Sequence, residues 1–432
     1  MPKQKVTIFW FRRDLRTSDN HGLHKALSSA HPVMPIFIFD TNILDELPED
    51  DARVTFIYDQ LNHIHTQLRE KGTSLRCLKG TPEAVWKNLL QEFDIQEVHA
   101  NEDYEPYALD RDQTIHNLLA KSKISFHLHK DQVIFAKDEV LKGDQTPYTV
   151  YTPYKNKWLS TLTPEDHKTY PSATGTDYLK LNFTFPELKE IGFKRSSIKV
   201  QDYDLGKLEQ YEKVRNFPAL NQTSHLSPHL RFGTVSIRQL VTKVIPHTTF
   251  LNELIWREFF MQILWHFPHV VDGNFRSKYD LIEWRNDPKD FERWKEGKTG
   301  YLMVDAGMRE LNTTGFMHNR VRMVVASFLC KHLLIDWRWG EAYFAKKLLD
   351  YELSSNNGNW QWAAGTGCDA APYFRVFNPS EQVKKFDPEL KYIRKWVPEI
   401  DTLDYPPPMV DHKMARERAI EVYKAGISRA TE

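Results

Sequence analysis

The sequence predicts an α/β N-terminal domain on a doubly wound parallel sheet, joined to an all-α C-terminal domain. Three observations carry that prediction. Short apolar runs alternate with helical segments over residues 1–130, the pattern of a parallel sheet covered on both faces. Pro147, Pro153, Pro164, Pro171 and Pro186 interrupt residues 131–200, which read as an irregular interdomain connection. Over residues 201–432, helical signals dominate.

Taken in order, Val6-Thr7-Ile8-Phe9-Trp10-Phe11 and Val33-Met34-Pro35-Ile36-Phe37-Ile38-Phe39 are buried-strand candidates. Residues 53–69 have helical periodicity, and residues 74–78 form a third strand. Thr81-Pro82-Glu83 opens a helix with a hydroxyl cap, a proline at its first position and an acidic first turn. Val85, Leu89 and Phe93 share one face of it. Glu97-Val98-His99-Ala100 and Ser125-Phe126-His127-Leu128 complete five strands. The absence of a Gly-x-Gly-x-x-Gly turn argues against a dinucleotide site of that type. Further on, helices are predicted over 236–246, 251–267, 288–296, 302–314, 318–334 and 338–349.

Composition bounds the function. Lys plus Arg and Asp plus Glu number 58 each, so a nucleic-acid surface has to be a local patch. Cys77, Cys330 and Cys368 are the only cysteines. Their wide spacing matches no metal site, so no metal is expected, and a reduced intracellular protein is. Met1-Pro2-Lys3 leads into the first strand without a signal-peptide pattern. No apolar stretch approaches the roughly 18 residues of a membrane span. A cytoplasmic protein, nuclear in a eukaryote, is the expectation. Twelve Trp and 18 Tyr fit either a large aromatic core or stacking and electron transfer.

Four motifs carry chemistry. In Thr223-Ser224-His225-Leu226-Ser227-Pro228, hydroxyls and backbone N–H groups suit a diphosphate, and equally a plain helix cap. Helical spacing gathers Glu253, Trp256 and Arg257 on one side, either as a clamp for a planar ligand or as an ion pair beside a core tryptophan. Gly315-Phe316-Met317-His318-Asn319-Arg320-Val321-Arg322-Met323 opens a long apolar helix, with its arginines and amide suited to phosphate or carbonyl contacts, or to capping. Finally, Asn356-Asn357-Gly358-Asn359 predicts a tight turn, flanked by Asp350, Glu352, Trp360 and Trp362.

With Trp10-Phe11-Arg12-Arg13-Asp14-Leu15-Arg16, Gly297-Lys298-Thr299-Gly300-Tyr301 and Val304-Asp305-Ala306-Gly307-Met308-Arg309, these motifs resemble the photolyase/cryptochrome family over nearly the whole chain. The likeness is strongest to class I cyclobutane pyrimidine dimer photolyases. It implies an FAD-binding helical domain and light-driven repair of pyrimidine dimers in DNA, by electron transfer from reduced FAD to the flipped-out lesion. It assigns FAD contacts to Tyr211, Thr223, Ser224, Leu226, Ser227, Arg322, Asp350, Glu352 and Asn356. Glu352 stands where aspartate is expected, so the charge remains on a longer arm. Trp360, Trp337 and Trp284 match the family's electron-transfer chain, and Glu253 and Asn356 join them as catalytic candidates. Glu253, Trp256, Asn319, Arg320, Met323 and Trp362 match the lesion pocket. Arg215, Arg257, Arg375, Lys384 and Lys385 are candidate phosphate contacts.

The resemblance implies a monomer whose partner is damaged DNA, with no membrane. The rival readings are a cryptochrome-type blue-light receptor and a plain flavin electron-transfer protein. Asn356 argues against the first, since many plant-type receptors place Asp there and insect types Cys. Glu253, Trp256 and Met323 argue against the second, which needs no lesion pocket. A second, antenna chromophore is compatible with the family. Folate-binding members place Asn-Glu where Tyr107-Ala108 stands, which argues against methenyltetrahydrofolate and leaves a deazaflavin, a second flavin or no antenna open.

Overall fold

The computed structural model describes residues 3–171 and 178–430. Met1 and Pro2 of the start read above lie outside them. Two compact units make up the chain. The first comprises Met1–Glu139, Thr161–Asp202 and Leu226–Pro246, and the second Val140–Ser160, Tyr203–His225 and His247–Glu432.

In the first unit, strands β1 (Lys5–Phe11), β2 (Val33–Asp40), β3 (Arg76–Gly80), β4 (Asp94–Asn101) and β5 (Ser125–His129) form one sheet in the order β3-β2-β1-β4-β5. Every pairing is parallel. The central strands β1 and β2 are buried almost end to end, which is why they read as unbroken apolar runs. The third strand starts two residues later than the sequence predicts. Thr73 and Ser74 are taken instead by hydrogen bonds from their hydroxyls to the carbonyls of Leu179 and Leu181. Helices α1 (His21–Leu27), α2 (Ala52–Glu70), α3 (Pro82–Glu92) and α4 (Pro106–Lys121) connect the strands. In α3, Val85 and Leu89 are buried, and so is Phe93 just past its end.

The Trp10–Arg16 motif ends β1 where the strand order reverses, between β1 and β4. Arg12 pairs with Asp112 at 2.5 Å. Arg16 and Arg238 both bind Asp131, at 2.7 and 2.8 Å. Burial opposes charge on Asp131, but the two guanidinium groups hold its carboxyl below the usual range. The motif therefore has structural work in this unit: each cation is matched by an anion before burial.

The second unit is helical. We label α5 (Tyr151–Thr161), α6 (Thr248–His266), α7 (Pro288–Lys295), α8 (Leu302–Thr314), α9 (Asn319–Ser327), α10 (Trp337–Lys347), α11 (Leu353–Ala364) and α12 (His412–Arg429). Its core gathers Trp294, Met303, Met308, Val321, Val325, Phe328, Leu329, Trp337, Phe344 and Trp360. Among the described residues no helix is long and apolar enough to cross a membrane.

Two expectations are corrected here. The helix predicted over 318–334 is α9 followed by a π-turn over Phe328–His332. Apolar periodicity does not register the change from an i+4 to an i+5 bond. The Asn356–Asn359 run is no tight turn but the middle of α11. Gly358 has an ordinary backbone, yet a Cβ there would stand 2.1 Å from the Phe260 ring. The glycine lets α6 approach α11. It does not reverse the chain.

Candidate functional site

Helices α6 and α10, which carry several of the candidate residues, pack against α11. From α6, Trp256 lies flat on Tyr151, with ring centroids 3.5 Å apart and planes 6° apart. Phe260 continues the stack at 5.6 Å. Tyr151 is fixed in turn: its hydroxyl donates to the Asn252 carbonyl at 2.8 Å, and its N–H to Asp369 at 3.1 Å. The result is a fixed aromatic wall in which Tyr151 and Phe260 are buried and Trp256 is half-buried.

Glu253, one turn before Trp256, pairs with Arg215 at 2.5 Å rather than with Arg257. Burial raises its carboxyl pKa, and Arg215 only partly opposes this. Arg257 reaches Glu352 at 3.1 Å, tying α6 to the residue that precedes α11. Both side chains are largely buried.

Arg322 grips Asp350 with both terminal nitrogens, at 3.2 and 2.9 Å, while its Nε donates to the Met317 carbonyl at 2.7 Å. A bidentate pair anchored at a third point fixes a positive charge in orientation as well as position. Asn356 is buried, and its Nδ2 donates to Glu341 twice, to Oε1 at 2.7 Å and to the backbone carbonyl at 3.1 Å. With both N–H donors used, the amide keeps its oxygen as an acceptor. Burial raises the Glu341 carboxyl above its ordinary range, against that hydrogen bond from Asn356.

The three tryptophans differ in exposure. Trp360 and Trp337 are buried, at 2% and 1% exposure, whereas Trp284 is partly open. Trp360 contacts Phe344 and Trp294 edge-on, at 4.9 and 6.2 Å. Trp337 donates its indole N–H to Asn274 at 2.9 Å. Trp284 meets Tyr423 at 5.7 Å.

On α9, Asn319 is exposed and Arg320 and Met323 are half-buried. Arg320 donates to Asn216 at 2.7 Å and lies over Phe386 at 4.3 Å. The neighbouring His318 caps α9 by accepting from the Arg320 N–H. Burial, with Arg322 and Arg320 nearby, lowers its pKa to about 4, so it is neutral at neutral pH. Trp362 is half-buried, 6.5 Å from Phe377, and Arg375 lies over that same ring at 5.8 Å. Lys384 pairs with Glu381 on an exposed face, and Lys385 lies over Phe386 at 5.3 Å.

Tyr211 packs edge-on to Phe250, with the Arg215 guanidinium over its ring at 5.4 Å. Thr223 lines a cavity of about 70 Å³ with Glu310, Phe316, His318 and Tyr392. The Ser224 carbonyl accepts from the Asp204 N–H at 2.9 Å. Leu226 and Ser227 begin the short helix Ser227–Arg231 and belong to the first unit, Leu226 buried and Ser227 exposed.

Tyr151 and Glu341 join this set without having been singled out in the sequence. For Tyr151 the available signal is the recurrence of Tyr148, Tyr151 and Tyr154 at helical spacing inside the proline-rich connection. For Glu341 there is none, because its role depends on α10 lying against α11.

The sequence matches the family described as DNA photolyase over residues 7–172. It matches the FAD binding domain of DNA photolyase over residues 250–404. It is 36% identical to the deoxyribodipyrimidine photo-lyase of Halobacterium salinarum, across 97% of this chain and 99% of that protein. The fold is similar to a bacterial class III photolyase from Agrobacterium tumefaciens, with a TM-score of 0.87 at 33% identity over 99% of this chain and 98% of that one. It is also similar to an archaeal photolyase from Sulfolobus tokodaii that holds two FAD molecules. There the TM-score is 0.84 at 36% identity, over 97% of this chain and all of that one.

Proposed function

The chain belongs to the DNA photolyase family, and from that premise we propose that it repairs cyclobutane pyrimidine dimers in DNA, using light and a bound FAD. The observation that carries this reading is the wall of Tyr151, Trp256 and Phe260 beside the Glu253–Arg215 pair. A protein that only shuttled electrons would have no use for an immobilised aromatic surface next to a partly desolvated acid. A photoreceptor without repair activity has no use for it either.

The donor set fits FAD. The Arg322–Asp350 pair offers a fixed cation beside an anionic ring, and the Asn356 oxygen offers an acceptor to a ring N–H. Tyr211, Thr223 and Ser224 would hold the phosphates, and Glu352 would keep Arg257 in place. When bound, FAD supplies a one-electron donor that light makes strongly reducing.

The chain's own residues do the rest. Trp256 and Trp362 give an apolar wall for the dimer flipped out of the duplex, a step costing a few kcal/mol and least for a lesion that already pairs poorly. Glu253 hydrogen-bonds the base edges, and its raised pKa lets it keep a proton to higher pH than an exposed glutamate would. Asn319, Arg320 and Met323 complete the pocket, and Arg215 and Arg375 act towards the phosphates. The electron that bound FAD would supply would let the C5–C5 and C6–C6 bonds of the dimer break and would then be returned. No proton transfer is needed for bond cleavage. Trp360, Trp337 and Trp284 would offer electrons from the surface to a bound flavin.

A second chromophore is compatible with this family, and the absorption spectrum of the isolated protein identifies it. Tyr107, in place of the expected Asn, shares a hydrogen bond with Asp40. We further place the protein in the cytoplasm as a monomer, which sedimentation of the FAD-bound chain checks. The central experiment is illumination of the reduced protein with an oligonucleotide carrying one thymine dimer. Restored thymines are expected, and their absence in light would sink the proposal.

A further inference from the structure

The first unit brings together a group of side chains that light-driven repair does not use. Strand geometry dictates the group. Glu97 and His99 are two apart on β4, so both side chains leave the same face of the sheet. His127 on β5 is the direct cross-strand partner of His99, and His129 lies one pair further along on that face. A parallel register therefore stacks the three imidazoles: His99 and His127 have ring centroids 4.9 Å apart, and His99 and His129 5.2 Å.

The donor atoms converge. Glu97 Oε2 is 3.3 Å from His99 Nε2 and 3.7 Å from His127 Nε2. One ligand atom from each of the three residues lies within 4.8 Å of the others. Ligands about 2.0–2.1 Å from a tetrahedral zinc ion stand about 3.3–3.4 Å from one another, so little adjustment is required. His99 is 6% exposed, and its Nε2 is buried without a hydrogen-bond partner, although Glu97 is near.

The surrounding contacts have the form that metal sites use to orient their ligands. Nδ1 of His99 lies 2.9 Å from Nε2 of His129. With the proton on His99 Nδ1, donated to His129, the lone pair of His99 Nε2 faces Glu97 and His127. The Thr7 hydroxyl donates to Oε1 of Glu97 at 3.4 Å, leaving Oε2 for the cluster. The His127 side chain is 45% exposed, which gives an ion a way in and leaves a position for water.

We propose that Glu97, His99 and His127 form a three-ligand site for a divalent transition-metal ion of the zinc type, which clips strand β5 to β4. β5 is the last strand of the sheet, short and mostly half-exposed or exposed. Edge strands with unpaired backbone groups invite wrong pairing. A bond through the ion holds this one at the His99–His127 register. The sequence shows only Glu-x-His and His-x-His, about thirty positions apart, and only the sheet register makes them one site.

The test uses the FAD-bound full chain, stripped with a chelator and titrated with Zn(II) by calorimetry. One ion per chain is expected, with micromolar or tighter affinity and a higher melting temperature on binding. His127→Ala and Glu97→Gln should each weaken binding by at least about tenfold and abolish the thermal shift. His63→Ala, which removes an exposed histidine of α2, should change neither. No binding to the stripped protein, or equal affinity in His127→Ala, overturns the proposal. The exposed position of His127 makes a folding defect avoidable, and the isosteric Glu97→Gln provides an independent arm.

Discussion

Trp360 has little freedom of its own: it is 2% exposed and wedged between Phe344 and Trp294. A cavity-sized loss there would confuse packing with chemistry, so phenylalanine is the informative replacement. Trp360→Phe should stop photoreduction of the oxidised flavin while leaving repair by chemically reduced protein close to normal. Absorbance followed under blue light reads the first, and an unchanged photoreduction rate would refute the role. Arg322, Asp350, Asn356 and Glu253 stand in motifs that resemble the family's, and it is that resemblance that implies their roles. Which group each would bind was less legible. Glu253 chooses Arg215 and Arg257 chooses Glu352, although Glu253 and Arg257 are ideally spaced for each other on one helix.

Helix α11 shows what an element adds. Local composition favours a turn at Asn356–Asn359, and packing against α6 overrides it. Alanine at position 358 would gain about 1 kcal/mol of helix propensity. Its Cβ, however, would lie 2.1 Å from the Phe260 ring, itself buried at 6% exposure. Overpacking of this kind costs about 1–3 kcal/mol, so Gly358→Ala should be net destabilising in urea unfolding. A stabilised variant would mean that the ring yields. The π-turn after α9 places Lys331, at 1% exposure, with its Nζ on the carbonyls of Ala364 and Tyr373 and over the Tyr423 ring. Burial lowers its pKa to about 7 from an ordinary value of 10.5. Between these values the unfolded chain binds the proton and the folded chain does not. Stability therefore rises with pH across that window, by at most about 1.4 kcal/mol per unit. Below about pH 7 both states hold the proton and the contribution is flat. Lys331→Met should lose this dependence, and parallel stability curves for the two proteins from pH 7 to 9 would contradict it.

At the scale of the whole molecule, equal numbers of acidic and basic residues leave DNA binding to local charge. Affinity for lesion-bearing duplex should still fall with salt, with a logarithmic slope of about 0.9 per phosphate contacted. Arg375→Ala should lower that slope by about one, and a salt-independent affinity would rule out phosphate contacts. The sequence alone determined the five parallel strands, the helical character of the second half, and the family. Each of these is written in periodicity or in motifs of adjacent residues, and local backbone geometry converts such patterns directly into structure. Tertiary structure decided the rest. It split residues 131–200 between the two units, laid Tyr151 on Trp256 and gave Asn356 to Glu341. It also joined Glu97 and His99 to His127 across two strands. These are contacts between residues far apart in the chain, fixed by burial and register, and no local pattern carries that information.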